Sequence, residues 1–147
     1  MFKVRILVLI IPVLLILSCD GNQDCCLPIN DGELLGKFRV YEYGYSPGDR
    51  YIVESVPADP PQLLNFEDDC TFSSNYQNLT SFKYYMILEG NNDEKILALF
   101  EKKPDNKENI DVNNLSHSYL IEYEGLNVKL YYRFCFEGCH IGLNKIE

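Results

Sequence analysis

Short apolar stretches that alternate with polar residues recur along most of the chain, and they predict β-strands. The clearest alternation lies at 127–135, where Val128, Leu130, Tyr132 and Phe134 would share one buried face. No segment sustains a helical period for more than a turn or two. The pattern therefore predicts an all-β protein with strands at 37–45, 62–67, 71–74, 81–89, 95–102, 118–123, 127–135 and 139–146.

The connections between these strands predict their topology. Short polar turns at 67–69, 90–93 and 124–126 suit hairpins, and 103–109 reads as a longer polar loop. Eight strands joined mostly in this way predict a small antiparallel up-and-down barrel, because closure removes exposed sheet edges. A β-sandwich is the alternative. Ile96, Ala98 and Phe100 are expected to face the interior, whereas both faces of 82–88 are apolar, so that strand is expected to be covered from outside as well.

The first 19 residues have the layout of a secretory leader. Lys3 and Arg5 precede the apolar run 6–17, which is too short to cross a bilayer core of about 30 Å. The segment 16–19 resembles a bacterial lipobox, which implies diacylglycerol on the Cys19 thiol, cleavage before Cys19 and acylation of the new amino end, as with palmitate. A signal-anchor helix is the alternative interpretation. The expected organisation is a signal peptide at 1–18, a lipidated flexible tether at 19–32 and one barrel domain at 33–147.

Composition and charge narrow the location and the partners. The formal charge is −9, and loss of Lys3 and Arg5 with the leader makes it two units more negative. Such an acidic domain repels phosphate backbones, so nucleic acid is not expected as a partner. Membrane attachment is expected through the N-terminal lipid. The expected location is the cell envelope, with the outer membrane favoured.

The cysteines fit an oxidising compartment. Cys135 and Cys139 flank a three-residue loop whose Gly138 suits the left-handed position of a hairpin turn, so a disulfide between them is predicted. Cys25, Cys26 and Cys70 are candidates for a further disulfide. A redox or metal pair with His140 is the alternative, but a zinc site needs about four ligands and the chain has only two histidines. No metal or cofactor is expected.

Several segments resemble a known family. The opening strand with Gly36 and Phe38, the 46–48 turn, the 64–75 segment and the closing 135–139 loop are similar to the short lipocalin-like lipoproteins of Bacteroidetes. The resemblance covers 33–147 and implies an eight-stranded barrel that binds small molecules, with no catalytic residues to transfer. Phe38 stands where the family usually places tryptophan at the barrel bottom. Cys70 replaces a usual turn glycine, which implies that it pairs with Cys25 or Cys26.

Three functions from different classes follow from these features. The first is a ligand carrier that holds a small apolar or amphipathic molecule in its barrel. The second is a solid barrel that docks an envelope protein through the region of Tyr41, Tyr43, Tyr45 and Tyr51. The third, an enzyme, is not expected, because no nucleophile or phosphate-binding motif is present; it would need polar groups converging near His117 or His140. The predicted ligand-lining residues are Phe38, Tyr84, Phe100, Tyr123, Leu130 and Tyr132.

Overall fold

The computed structural model describes residues 32–105, 110–136 and 138–147. Within these ranges, four single 3-10 turns, at Gly32–Leu34, Gln77–Leu79, Asn91–Asp93 and Val112–Asn114, accompany the strands. No helix in these ranges is long and apolar enough to cross a membrane. The strands are β1 (Gly36–Tyr45), β2 (Ile52–Ser55), β3 (Leu63–Phe66), β4 (Phe72–Ser74), β5 (Tyr84–Glu89), β6 (Lys95–Phe100), β7 (Ser118–Glu124), β8 (Asn127–Tyr132) and β9 (His140–Lys145).

These strands form an antiparallel up-and-down barrel that is nearly closed. Their order in the sheet is β4-β3-β1-β9-β8-β7-β6-β5, and β2 pairs with β1 beside this path. From β5 to β9 each strand pairs with the next one in the chain, and β9 returns to β1. A single bridge between Thr71 and Tyr84 joins the two ends of this path. The predicted all-β eight-stranded barrel is confirmed.

Strand β2 was not predicted from the sequence. It pairs only with the second half of β1, from Glu42 to Tyr45, whereas the first half of β1 pairs with β3. Its four residues are mostly exposed and show no apolar alternation, so the signal that marks the other strands is missing. This extra strand extends one side of the barrel beyond β3.

One end of the barrel interior is filled by aromatic and aliphatic side chains. Phe66 lies at its centre, with ring centroids 5.1 Å from Phe72, 5.2 Å from Tyr85 and 5.8 Å from Phe38. Leu34, from the first 3-10 turn, is fully buried in the same cluster. Burial of one such leucine contributes about 2 kcal/mol to stability. We call this the closed end of the barrel.

A second apolar cluster covers the outer face of β5 and β6. Met86 and Leu88 pack there with Ile96 and Ala98, beneath side chains of the segment that contains Val112. The expected outside cover of 82–88 is therefore present. The expected inward direction of Ile96, Ala98 and Phe100 is wrong: Leu97 and Leu99 face the interior instead. Because all of 96–100 is apolar, alternation could not distinguish the two faces.

Cys70 occupies a turn position that favours glycine. Its φ is 74°, in the left-handed region that glycine adopts most easily. The turn between β3 and β4 therefore keeps this backbone conformation with a cysteine in place of glycine. Cys70 is disulfide-bonded. Cys25 and Cys26, its expected partners, lie outside the described residues, as does Cys19.

Candidate functional site

A cavity of about 310 Å³ opens at the end of the barrel opposite the closed end. We call this opening the mouth. It lies where β1 and β8 end and where β7 and β9 begin, and the 3-10 turn after β4 forms part of its wall. The lining residues are Tyr43, Gly44, Tyr45, Tyr76, Asn78, His117, Tyr119, Leu130, Tyr132, Cys139, His140 and Ile141.

The wall formed by β7 and β8 combines apolar surface with phenol groups. Tyr119 and Tyr132 are paired across these strands, with ring centroids 5.5 Å apart. The Tyr132 hydroxyl donates a hydrogen bond to the Ser116 carbonyl at 3.0 Å. Burial raises the pKa of Tyr119, and no described residue hydrogen-bonds its hydroxyl. Tyr119 therefore offers a ligand a neutral polar group inside an apolar wall.

The opposite wall is organised by a carboxylate on β2. Tyr43 and Tyr45 are two residues apart on β1 and their rings stack at 5.9 Å, and both hydroxyls donate to the Glu54 carboxylate. The Tyr45 bond measures 2.7 Å. These two bonds lower the pKa of Glu54, and the same interaction raises the pKa of Tyr43 to about 12. The arrangement holds an anionic group beside two rings that line the cavity.

A chain of hydrogen bonds lies on the outer face of β1 and β9. His140 is buried; its Nε2 contacts the Glu42 carboxylate at 3.0 Å, and its Nδ1 contacts the Tyr51 hydroxyl. The same hydroxyl donates to the Gly138 carbonyl at 2.8 Å. The Tyr51 hydroxyl and the Glu42 carboxylate therefore hold the imidazole at both of its nitrogens.

This chain connects the loop before β2 to the hairpin between β8 and β9. The close approach requires Gly44, since a Cβ there would collide with both the Tyr51 hydroxyl and the His140 ring. The Tyr51 ring also stacks on the imidazole at 5.8 Å. The polar convergence at His140 is therefore packed against the fold, and it positions the mouth rather than presenting an open reactive group.

The hairpin itself is closed by a disulfide. Cys135 and Cys139 are joined, with their alpha carbons 5.6 Å apart, and Gly138 has a φ of 85° as the turn requires. Since Cys139 lines the cavity, the crosslink fixes part of the mouth.

The predicted lining residues fall into separate regions. Leu130 and Tyr132 line the cavity. Phe38 is fully buried in the core of the closed end, and Tyr123 packs against that core near the end of β7. Tyr84 and Phe100 face each other across β5 and β6 on the outer face, away from the cavity. They lie there because the face of β6 that carries Ile96, Ala98 and Phe100 is the outer face of the barrel.

The tyrosines expected to form a docking surface are also divided. Tyr43 and Tyr45 line the cavity, whereas Tyr51 covers His140 on the outer face. Tyr41 contacts the Gly142 position on that same outer side. The four rings do not form one continuous patch, because the β-bulge between Val40 and Glu42 interrupts the alternation of β1 and separates Tyr41 from Tyr43 and Tyr45.

Sequence reasoning missed several lining residues. Tyr119 is in phase with Ile121 on a predicted strand, so the alternation of β7 could have identified it. Tyr76 and Asn78 come from a connection, and His117 precedes a strand, so no local pattern assigns them to the mouth. Glu54 was missed together with β2.

The fold and the site define a small antiparallel barrel with one end filled and a tyrosine-lined cavity at the other. Within the described ranges, no group of three or more His, Cys, Asp and Glu residues is arranged to hold a metal ion. Comparison of the chain with protein-family models, curated proteins and solved structures finds no match.

Proposed function

We propose that this protein is a lipid-anchored, lipocalin-like carrier in the cell envelope that binds a small amphipathic molecule at the mouth of its barrel. The cavity of about 310 Å³ carries this proposal. Its volume lies at the lower limit of ligand sites, which span roughly 300–1,000 Å³. The filled closed end restricts the ligand to the mouth, so a compact molecule is favoured over a long chain.

The lining supports an amphipathic ligand over a purely apolar one. Leu130 and Ile141 supply apolar surface, whereas Tyr119 adds a hydroxyl without a protein partner among the described residues. A few fixed polar groups in a mostly apolar pocket orient a ligand and give specificity.

The proposed anchoring rests on the N-terminal sequence. The apolar run before Cys19 and the lipobox-like residues 16–19 support export, cleavage and lipid attachment. A lipid on Cys19 would hold the barrel at a membrane surface, and we favour the outer membrane. The acidic composition argues against nucleic acid as a ligand, because the negative charge repels phosphate groups.

Native mass spectrometry of the full chain, matured by its host and purified in detergent, tests both parts. We expect a protein that begins at a diacylated Cys19 and carries an adduct of a few hundred daltons that leaves on denaturation. A bare protein mass, recorded under conditions that preserve known lipid complexes, contradicts the carrier proposal. That result favours the docking function instead.

Two variants of one 3-10 turn locate the adduct. Asn78 lines the cavity and Gln77 does not, and both side chains are exposed. Asn78→Trp places a large ring at the mouth and is expected to reduce adduct occupancy at least fivefold. Gln77→Trp is the matched control and should retain the adduct. Equal retention in both variants would place the ligand elsewhere.

A further inference from the structure

Tyrosine rings dominate the wall of the mouth cavity. Among the described residues that line it, none is lysine, arginine, aspartate or glutamate. Two pairs of rings face the cavity from different strands, with centroid separations of 5.9 Å for Tyr43 with Tyr45 and 5.5 Å for Tyr119 with Tyr132. Tyr76 adds a fifth ring from the connection after β4. The face of an aromatic ring carries partial negative charge, so such a lining attracts cations.

Glu54 adds a formal negative charge next to this lining. Its carboxylate accepts hydrogen bonds from the hydroxyls of Tyr43 and Tyr45 and is directly opposite Tyr43 in the pairing of β1 with β2. A phenol that donates to a carboxylate gains electron density on its ring, which strengthens its attraction for a cation. Glu54 therefore acts on a bound cation both through its own charge and through the two rings.

The surrounding charges leave this negative potential in place. The hydrogen bond to Glu54 raises the pKa of Tyr45, against a smaller opposite effect of Arg50. Arg50 is outside the cavity lining, whereas hydrogen bonds from Tyr43 and Tyr45 hold the Glu54 carboxylate beside two rings that line it. The whole chain has a formal charge of −9, which attracts cations at longer range.

From this arrangement we propose that the cavity selects a small organic cation, with a quaternary or alkylated ammonium head held among the tyrosine rings beside Glu54. The inference rests on the proposed carrier function and names the chemical class of its ligand. An alkylated ammonium group suits the site because it has few or no N–H groups to donate in hydrogen bonds. Ring faces and one nearby carboxylate can satisfy its positive charge instead. Aromatic cages recognise such groups most strongly where water is excluded.

Calorimetric titration of the full, matured chain with choline and with 3,3-dimethylbutan-1-ol tests the charge preference. The two probes have nearly the same shape, but a carbon replaces the charged nitrogen in the second. We expect choline to bind at least tenfold more tightly, which corresponds to about 1.4 kcal/mol. Equal affinity for both probes, or no binding of choline, overturns the inference.

A pair of substitutions assigns the preference to the site. Glu54→Gln keeps the side chain's size on an exposed strand, and we expect it to reduce choline affinity at least fivefold while the affinity for the neutral probe stays unchanged. Glu33→Gln changes the charge equally at an exposed position beside Leu34 of the closed end and should leave both affinities unchanged. Equal losses in both variants would mean that overall charge attracts choline, and this also overturns the inference. The carrier function is decided separately, by the native adduct and its response to Asn78→Trp.

Discussion

A single carboxylate, that of Glu54, controls the ionisation of one wall of the cavity. Its hydrogen bonds from Tyr43 and Tyr45 stabilise the charged carboxylate and the neutral phenols. Glu54 has a lowered pKa, so its contribution to stability is present above the ordinary value of 4.5 and is lost as pH falls through the lowered value. Tyr43 has a raised pKa, so its contribution is present below 10.0 and is lost as pH rises toward about 12.

NMR titration of the tyrosine rings measures this coupling directly. In the native chain we expect Tyr43 to ionise near pH 12, and in Glu54→Gln we expect its midpoint to fall toward 10.0, because the charge-assisted bond is lost. Tyr51 is an internal control, since burial is the first cause of its raised pKa. An unchanged midpoint for Tyr43 in the variant would show that Glu54 does not hold this wall.

The hairpin between β8 and β9 is the element that the disulfide and the hydrogen-bond chain fix together. Cys135→Ser with Cys139→Ser should lower the free energy of unfolding by about 2 kcal/mol, the loop-entropy value expected for so short a ring. Urea unfolding measures this loss. Because Cys139 lines the cavity, native adduct occupancy should fall in the same variant.

A second change in the same hairpin separates crosslinking from loop chemistry. The side chain of Phe136 is fully exposed, so Phe136→Ser should change stability by less than about 0.5 kcal/mol. A loss from the double cysteine variant no larger than this control would show that hydrogen bonds alone hold the hairpin, among them that from the Tyr132 amide to the Cys139 carbonyl at 2.9 Å.

The weakest strand pairing around the whole barrel is the one between β4 and β5. One bridge and backbone bonds such as that from the Phe72 amide to the Lys83 carbonyl at 2.8 Å close it, whereas β8 is paired along both edges. We expect native-state hydrogen exchange to show at least tenfold lower protection for the amides of Phe72 and Tyr85 than for those of β8. Uniform protection would indicate that the barrel opens only by global unfolding.

Local sequence patterns predicted the strands well but the site poorly. Each predicted strand has a counterpart, because alternation and turn residues act over a few neighbouring positions. Leu130 and Tyr132, which the clear alternation of β8 assigned to one face, both lie on the cavity wall. Tyr84 and Phe100 were assigned to the interior, but Phe100 packs against the outer apolar cluster and Tyr84 is its cross-strand partner, and no local pattern shows which face that cluster occupies.

The sequence by itself determined that this chain forms a small all-β barrel with a closing Cys135–Cys139 hairpin. These features depend on side-chain period, turn chemistry and the reach of a short loop, all of which are local. Only the tertiary structure decided which end of the barrel is filled, that β2 brings Glu54 to Tyr43, and that Tyr51 and Glu42 meet at His140. The contacts at His140 join residues 89 and 98 positions apart in the chain, and the contact of Glu54 with Tyr43 depends on a strand that no local pattern marks. The register and curvature of the closed sheet determine these contacts.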